Sequence, residues 1–259
     1  MTDEPDSDLR ECISTVVKRT AFLDRLADEP TSKRDLRDEL DLSRSTVYKA
    51  VRELEALGLV TETDAGVALT LVGRLLAEEC RAFESRAAAV TDAASLLSAL
   101  PADVPVTTDL LVGAETVRGE RHAPTGPVEH IDEVVRRTDR VVGFTPVVLP
   151  QYVDMVHEEV VADDLTADLV LEAPVVEYLR ENHDERLREA LASGNLSVRR
   201  TGETLPFGLV VAEGEGLVLI VYDETGDLRG VLLNDTEAAL DWGTELFRTY
   251  WERAGDESG

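Results

Sequence analysis

The segment LSRSTVYKAVRELEALGLV, residues 42–60, constrains the fold more than any other part of the sequence. Its apolar residues recur at spacings of four, three and three, which places them in one stripe along a helix. Ser43 stands where a helix N-cap is expected, and Gly58 can supply the left-handed residue that ends a helix. We therefore predict a helix over residues 44–57. The stripe consists of Val47, Val51, Leu54 and Leu57.

The polar residues of this helix are of the types that contact DNA. Basic and hydroxyl side chains near a helix start can reach base edges in the major groove and donate to phosphates. Arg44 is the expected guanine contact, because it lies near the helix start, where side chains reach base edges. The predicted DNA-binding residues are Ser43, Arg44, Ser45, Thr46, Tyr48, Lys49 and Arg52.

The flanking segments complete the pattern of a winged helix-turn-helix. A first amphipathic helix is predicted over residues 8–27, and Pro30 ends it. Thr31 or Ser32 can cap a short second helix over residues 33–39, followed by a turn at 41–43. Two short β-prone runs joined by TDAG then predict a hairpin, with residues 61–70 as a wing near the DNA backbone. This domain spans residues 1–70.

Residues 71–103 read as a linker dominated by one helix over 71–100. Its apolar residues follow a heptad-like spacing, which has two interpretations. One is a dimerising coiled coil, which we favour because winged-helix regulators pair to read two half-sites. The other is a connecting helix packed against its own C-terminal domain. The seam consists of Val72, Leu76, Cys80, Phe83, Ala87, Val90, Ala94 and Leu97.

Strand-like and helix-like segments alternate over residues 104–254, which predicts an α/β sandwich with a mixed sheet. The fold class is therefore α+β or α/β, with an N-terminal winged helix, a connecting helix and a C-terminal α/β domain. Residues 255–259 are predicted as a disordered tail. The predicted strands are 106–112, 140–145, 167–172, 196–201, 207–213, 217–223 and 229–234, and the predicted helices are 128–138, 149–161, 174–192 and 236–254.

The chain carries 53 acidic and 26 basic residues, a net charge of −27, and DNA is also an anion. Only three of the basic residues are lysines, a composition that resembles haloarchaeal proteins working in molar salt. An ordinary acidic protein would explain the charge but not the scarcity of lysine. At 1 M salt the screening length is about 3 Å, so distant carboxylates scarcely affect DNA. Residues 31–60 are neutral, with six basic and six acidic residues.

Four stretches carry a family resemblance. PTSKRDLRDELDLSRSTVYKAVRELEALGLV resembles the winged-helix modules of archaeal transcription regulators. LNDTEAALDWGTELFRTYWERA, together with LLVGAETVRG and LPQYVDMVHEEV, resembles the effector-type domain of a methanogen regulator of filament formation. The resemblance implies a haloarchaeal winged-helix regulator with the methanogenesis-regulator middle domain. It is weakest around residues 102–127.

The second domain of that family is similar in fold to phospholipase-D-like domains, which raises an enzyme hypothesis. Such a site needs a histidine followed two residues later by a lysine that neutralises the phosphoryl charge. No such pair exists, because every lysine lies at or before residue 49 and the histidines come later, at His122, His130, His157 and His183. No glycine-rich phosphate loop occurs either. We predict no enzyme activity, no cofactor and no metal.

A ligand pocket is one interpretation of the GFTP segment after the strand at 140–144, since ligands favour the ends of such strands. Phe144 would provide an apolar wall and Thr145 a hydroxyl group; the alternative is an ordinary loop. Trp242 and Trp251 are predicted to anchor the core. Cys80 is interpreted as a buried free thiol, with an interchain disulfide as the alternative.

These observations predict a cytoplasmic, sequence-specific DNA-binding transcription regulator. Its expected partners are double-stranded DNA, a second copy of the chain and an unknown small-molecule effector, with no membrane. The alternative is a protein-interaction or ligand-sensing module whose winged helix no longer binds DNA. The neutral charge of residues 31–60 is the best support for that alternative.

Overall fold

The computed structural model describes residues 4–119 and 126–256, so the predictions for His122 and residues 257–259 lie outside the described part. The chain divides into two compact units, Met1–Ala87 and Ala88–Gly259. The first is mainly helical, and the second combines a mixed sheet with helices. The predicted fold class is confirmed.

From residue 4 onward, the first unit contains four helices, a hairpin and the start of a fifth helix. Its core is one cluster of apolar side chains drawn from all of these elements. The elements are α1 (Glu4–Lys18), α2 (Thr20–Asp28), α3 (Lys33–Glu39), α4 (Arg44–Ala56), β1 (Val60–Thr63), β2 (Gly66–Leu69) and α5 (Leu71–Leu97).

The single helix predicted over residues 8–27 is wrong, because the chain leaves the helical conformation at Arg19 (φ −113°, ψ 16°). The Thr20 hydroxyl donates to the carbonyl oxygens of Val16 and Val17 at the break. The change of direction lets Val16, Phe22 and Leu23 all enter the core. A sequence stripe alone does not reveal this break.

The hairpin of β1 and β2 extends into a small third bridge. Thr31 and Val67 exchange two backbone hydrogen bonds of 2.9 Å each. Gly66 permits this approach, because a Cβ atom there would lie 2.6 Å from the Thr31 backbone. The bridge ties the hairpin to the start of α3.

The predicted heptad seam does not form one continuous face of α5. Cys80 is buried and Leu76 is packed in the core of the first unit, whereas Leu97 packs in the second. Val72 and Phe83 remain exposed. The helix takes part in two cores, so its buried positions follow two different faces. Cys80 is a free thiol that contacts Thr20, at 3.4 Å, within the first unit.

In its described residues, the second unit contains the end of α5, six further helices and eight strands. They follow the predicted alternation closely from residue 126 onward. The elements are α6 (Thr108–Leu111), β3 (Glu115–Arg118), α7 (Gly126–Val135), β4 (Arg140–Thr145), α8 (Pro150–Val161), β5 (Thr166–Glu172), α9 (Ala173–Asn182), α10 (Asp184–Ser193), β6 (Leu196–Thr201), β7 (Gly208–Ala212), β8 (Gly216–Tyr222), β9 (Leu228–Asn234), α11 (Glu237–Arg253) and β10 (Gly255–Asp256).

The strands form one sheet in the order β10-β6-β5-β4-β7-β8-β9-β3. β4, β5 and β6 are parallel neighbours, and the other pairs are antiparallel. One face packs against α6 and α11, and the other against α7, α8 and α10. Trp242 and Trp251 pack against the first of these layers.

Three local predictions in this unit are wrong. The predicted strand at 106–112 is wrong: residues 108–111 form the short helix α6, whose Leu110 and Leu111 both enter one core. The Asn234 side-chain amide donates to the Leu110 and Val112 carbonyls and holds this segment in place. The helix predicted over 174–192 is interrupted at His183. The predicted disorder at 255–256 is replaced by β10, which pairs with the edge of β6.

Candidate nucleic-acid interface

Helix α4 begins at the predicted cap. The Ser43 hydroxyl accepts a 3.1 Å hydrogen bond from the Thr46 backbone N–H, which satisfies one of the free donors at the helix start. Gly58 adopts the predicted left-handed conformation at the other end (φ 69°). The stripe is buried as predicted for Val47, Val51 and Leu54.

The side chains opposite the stripe are exposed. We call them the α4 outer surface: Arg44, Ser45, Tyr48, Lys49 and Arg52. Thr46, also predicted to bind DNA, is half-buried, and its hydroxyl lies 2.8 Å from that of Ser43. Ser43 and Thr46 therefore shape the helix start, whereas the α4 outer surface is accessible.

Tyr48 lies at the centre of the α4 outer surface. The Arg44 guanidinium lies 5.2 Å from the Tyr48 ring centroid, and the Lys33 ammonium lies 4.9 Å from it. Both distances fall in the range of cation–π attraction. Lys33, on α3, was not among the predicted DNA-binding residues. The sequence signal that could have indicated Lys33 is its position directly after Ser32, the cap of α3, because basic residues at a helix start can reach DNA.

The basic residues differ in how far neighbouring carboxylates neutralise them. Within residues 4–119 and 126–256, neither Arg44 nor Arg52 forms an ion pair. Lys49 approaches Glu53 only to 3.9 Å, and Lys33 pairs with Glu62 of the wing. Arg44 and Arg52 are therefore the cations of α4 that are most available to a phosphate or a base.

Arg19 fixes α4 from the inner side. It is 8% exposed, and its guanidinium donates two hydrogen bonds, of 3.0 and 2.7 Å, to one carboxylate oxygen of Glu53. These bonds from Arg19 lower the pKa of the Glu53 carboxyl. Glu53 is also the carboxylate that Lys49 approaches to 3.9 Å, so its pairing with Arg19 leaves Lys49 less neutralised. Sequence reasoning missed Arg19, because the pairing joins residues 34 positions apart.

The wing is acidic. Glu62 and Asp64 are exposed, and β1, β2 and their turn carry no basic residue. A phosphate backbone would meet repulsion here, so the wing lacks the cations expected for the predicted backbone contact.

The family of the second unit follows from its sequence. Residues 124–253, half of the chain, match the model of the methanogenesis regulatory protein FilR1 middle domain. The chain belongs to the FilR1 middle-domain family. This confirms the resemblance inferred from the sequence. Residues 8–92 match a second model, the HVO_A0261 N-terminal domain.

Solved structures are similar to this FilR1-type chain only at a distance. TrmBL2, described as an archaeal chromatin protein with a novel mode of DNA binding, is 13% identical, with coverage of 90% of this chain and 91% of that one and a TM-score of 0.44. The phospholipase D family member Nuc from Salmonella typhimurium is 7% identical over 56% and 98% of the two chains, with a TM-score of 0.43.

A methyltransferase, RosA from Streptomyces davawensis, is 16% identical over 76% and 65% of the chains, with a TM-score of 0.27. At such identities and TM-scores, none of these structures transfers a function to this chain. The sequence matches no curated protein.

The predicted ligand residues of the FilR1-type domain separate onto two faces of the sheet. Phe144 is 1% exposed and contacts Phe207 and Tyr250 in the layer of α11. Thr145 faces the opposite layer, where it lines a cavity with residues of α8 and α10. Phe144 therefore cannot form the wall of a pocket that contains Thr145, because adjacent strand residues point to opposite faces.

Within the described ranges, we also searched for a metal site and a membrane-spanning helix. No three histidine, cysteine or acidic side chains there are grouped to hold a metal ion. His157 lies 3.0 Å from Glu189, a carboxylate on the neighbouring helix α10. No helix of the described part has the length and apolar character needed to cross a membrane.

Proposed function

We propose that this chain is a sequence-specific, DNA-binding transcription regulator that acts as a homodimer. The observation that carries the proposal is the α4 outer surface. Arg44, Lys49 and Arg52 project there from a capped helix whose opposite face is buried. A helix anchored on one face and cationic on the other fits a major groove. The family description of FilR1 as a regulatory protein agrees with this role.

The side chains of the surface have different proposed roles. Arg44, at the start of α4, reads a guanine edge, and Ser45 contacts a neighbouring base or sugar. Lys49 and Arg52, farther along the helix, bind phosphates and position the protein. Ser43 and Thr46 support these contacts by fixing the helix start. The acidic wing approaches the backbone without binding it.

A second copy of the chain is the proposed dimer partner, bound through exposed apolar side chains of the first unit. Leu9, Ile13 and Val17 recur every four residues on α1, which makes one apolar stripe. Val72, Leu75 and Phe83 are exposed on α5. Molar salt strengthens apolar burial, and the acidic composition supports a halophilic protein. This surface keeps the exposed Val72 and Phe83 of the heptad seam, whereas Leu76 and Cys80 pack in the core of the first unit and are not part of the proposed interface.

The dimer is tested by sedimentation of charge-introducing variants. Phe83→Glu and Ile13→Glu should shift the full chain from dimer to monomer. Tyr178→Glu, at an exposed aromatic of the second unit, is the matched control and should remain dimeric. If all three variants sediment alike, this apolar surface is not the interface.

The second unit is proposed to be a regulatory domain that responds to a small molecule, not an enzyme. Its histidines are not followed by the lysine that phospholipase D chemistry requires. A module that no longer binds DNA is the competing function. The neutral charge of residues 31–60 and the acidic wing favour it.

The two functions are separated by fluorescence anisotropy of the full chain on fragments of its own promoter region in molar KCl. Arg52→Glu should abolish specific binding, whereas Arg86→Glu, an equal charge change on exposed α5, should preserve it. Arg44→Ala should cost about 1–3 kcal/mol at one base position only. Equal loss with every base variant would assign Arg44 to phosphate. Indifference to Arg52→Glu would support the competing function.

A further inference from the structure

A cavity of about 100 Å³ lies between the sheet and the helices α8, α9 and α10 of the second unit. Its walls are mostly aliphatic and come from both layers. β5 and β6 supply the floor, and α8 and α10 supply the roof. Central wall residues are Leu169, Leu171, Val198, Val153, Val156 and Leu187.

The cavity interrupts an otherwise packed layer. Val170, between Leu169 and Leu171, is fully buried in the opposite layer, so the sheet itself is well packed there. Protein interiors contain few spaces larger than a water molecule, because unfilled space forfeits contacts. An apolar space of this size accepts small apolar molecules.

Two buried phenols, of Tyr152 and Tyr222, meet beside this space. Tyr152 lines the cavity, whereas Tyr222 does not; the two hydroxyls interact with each other, but neither completes a hydrogen bond of normal geometry to a described residue. Burial raises the pKa of both phenols, so both hydroxyls stay protonated. The nearby Thr145 hydroxyl is already satisfied, since it donates to the Val147 carbonyl at 2.7 Å. Buried donors without acceptors are rare in native proteins.

The charged groups along the rim are already paired. Arg186 donates to Asp154, and His157 lies 3.0 Å from Glu189. A charged ligand would have to displace one of these carboxylates. The rim therefore favours an uncharged occupant.

We propose that this cavity binds a small neutral molecule with an apolar body and one acceptor oxygen, of the class of cyclic or branched ketones. The apolar body fills the space between β5, β6 and α10. The acceptor oxygen takes the hydrogen bond that Tyr152 offers. An engineered cavity of about 150 Å³ holds benzene, so the body here is at most about one ring. A role of this ligand in DNA binding rests on the proposed function; its binding does not.

Cyclopentanone is the probe, titrated into the full chain in molar KCl and followed by the methyl NMR signals of Leu169, Leu187 and Val198. These signals should shift saturably, and cyclopentanecarboxylate should leave them unchanged. Tyr152→Phe should weaken cyclopentanone binding roughly three- to tenfold, the value of one neutral hydrogen bond. Tyr250→Phe, a tyrosine of the opposite layer, is the matched control and should not change the affinity.

Filling the space tests the location. Ala190 is buried and lines the cavity, so Ala190→Leu should abolish cyclopentanone binding while the chain remains folded. Val198→Leu serves the same purpose if the first variant does not fold. The proposal is overturned if the wild-type signals do not shift saturably, if the filled variant binds equally, or if the carboxylate binds as well as the ketone.

The same samples separate this proposal from the proposed function. DNA affinity is measured with and without cyclopentanone. If the chain does not bind DNA, cyclopentanone should still shift the methyl signals. If cyclopentanone does not bind, the chain should still bind its promoter fragment. Saturable shifts without any change in DNA affinity would support the cavity and remove only its regulatory role.

Discussion

Tyr48 holds two cations on the α4 outer surface, Arg44 from its own helix and Lys33 from α3. Like charges this close repel, and the negative face of the aromatic ring offsets part of that repulsion. Holding Arg44 against a ring also reduces the conformational entropy that it loses on binding DNA. Tyr48 is therefore a positioning residue in the proposed interface.

Removal of the ring should matter more than removal of its hydroxyl. Tyr48→Ala should weaken promoter binding by about 0.5–1 kcal/mol, the value of an exposed cation–π contact. Tyr48→Phe should bind within error of the wild type, because the ring face is retained. Fluorescence anisotropy in molar KCl measures both. If Tyr48→Phe and Tyr48→Ala weaken promoter binding equally, the Tyr48 hydroxyl itself contacts DNA.

At the level of elements, α4 is held by contacts on its inner face, and Arg19 makes a polar contact there with Glu53. The Arg19–Glu53 pair lowers the pKa of Glu53. A carboxyl whose folded pKa lies below its unfolded value stabilises the fold above the unfolded pKa. That contribution is lost as the pH falls through the folded pKa.

Glu53→Gln should therefore lower the Tm at pH 7 by a few degrees, and the difference from wild type should narrow as the pH falls below about 4.3. Glu55→Gln, at an exposed neighbour on the same helix, is the control and should leave the Tm unchanged. Calorimetry at a series of pH values measures the difference. A difference that is independent of pH would mean that Glu53 acts through packing.

The wing is the element whose charge opposes the proposed function. The double variant Glu62→Gln/Asp64→Asn should strengthen DNA binding roughly two- to fivefold at low salt, because it removes repulsion and releases Lys33 from Glu62. The gain should fade in molar KCl. Glu78→Gln/Glu79→Gln, two exposed carboxylates on α5, is the charge-matched control. Equal gains from both double variants would show a general charge effect.

The elements also show which predictions a sequence supports. The sequence predicts the start of α4 to the residue, since the Ser43 cap and the apolar stripe are local signals. The sequence does not predict the Arg19–Glu53 pair, because its two residues lie 34 positions apart. The turn at Leu110 and Leu111 was missed because Asn234, from the penultimate strand of the chain, stabilises it. The sequence predicts Tyr48 in the interface. It does not predict Lys33 there, because Lys33 reaches Tyr48 only through the packing of α3 against α4.

At the level of the whole molecule, the charge is distributed unevenly along the chain. Residues 91–259 carry 34 acidic and 13 basic residues, whereas residues 1–90 carry 19 and 13. The acidic excess therefore belongs mainly to the FilR1-type domain. Such a domain repels DNA over a distance set by the screening length, whereas the α4 outer surface acts only at contact.

Because the repulsion and the contacts act over different distances, we expect promoter affinity to depend on salt in an unusual way. At about 0.1 M KCl the screening length is about 10 Å, so repulsion from the acidic body should oppose binding; at 1 M it is about 3 Å and this repulsion disappears. Counterion release weakens each phosphate contact as the salt rises further. Promoter affinity should therefore pass through a maximum as KCl increases, over the range in which circular dichroism shows the chain folded. The Glu62→Gln/Asp64→Asn variant should move that maximum to lower salt, because part of the repulsion is gone. A steady decline of affinity from the lowest salt onward, as for a basic DNA-binding protein, would contradict the view that remote carboxylates limit binding.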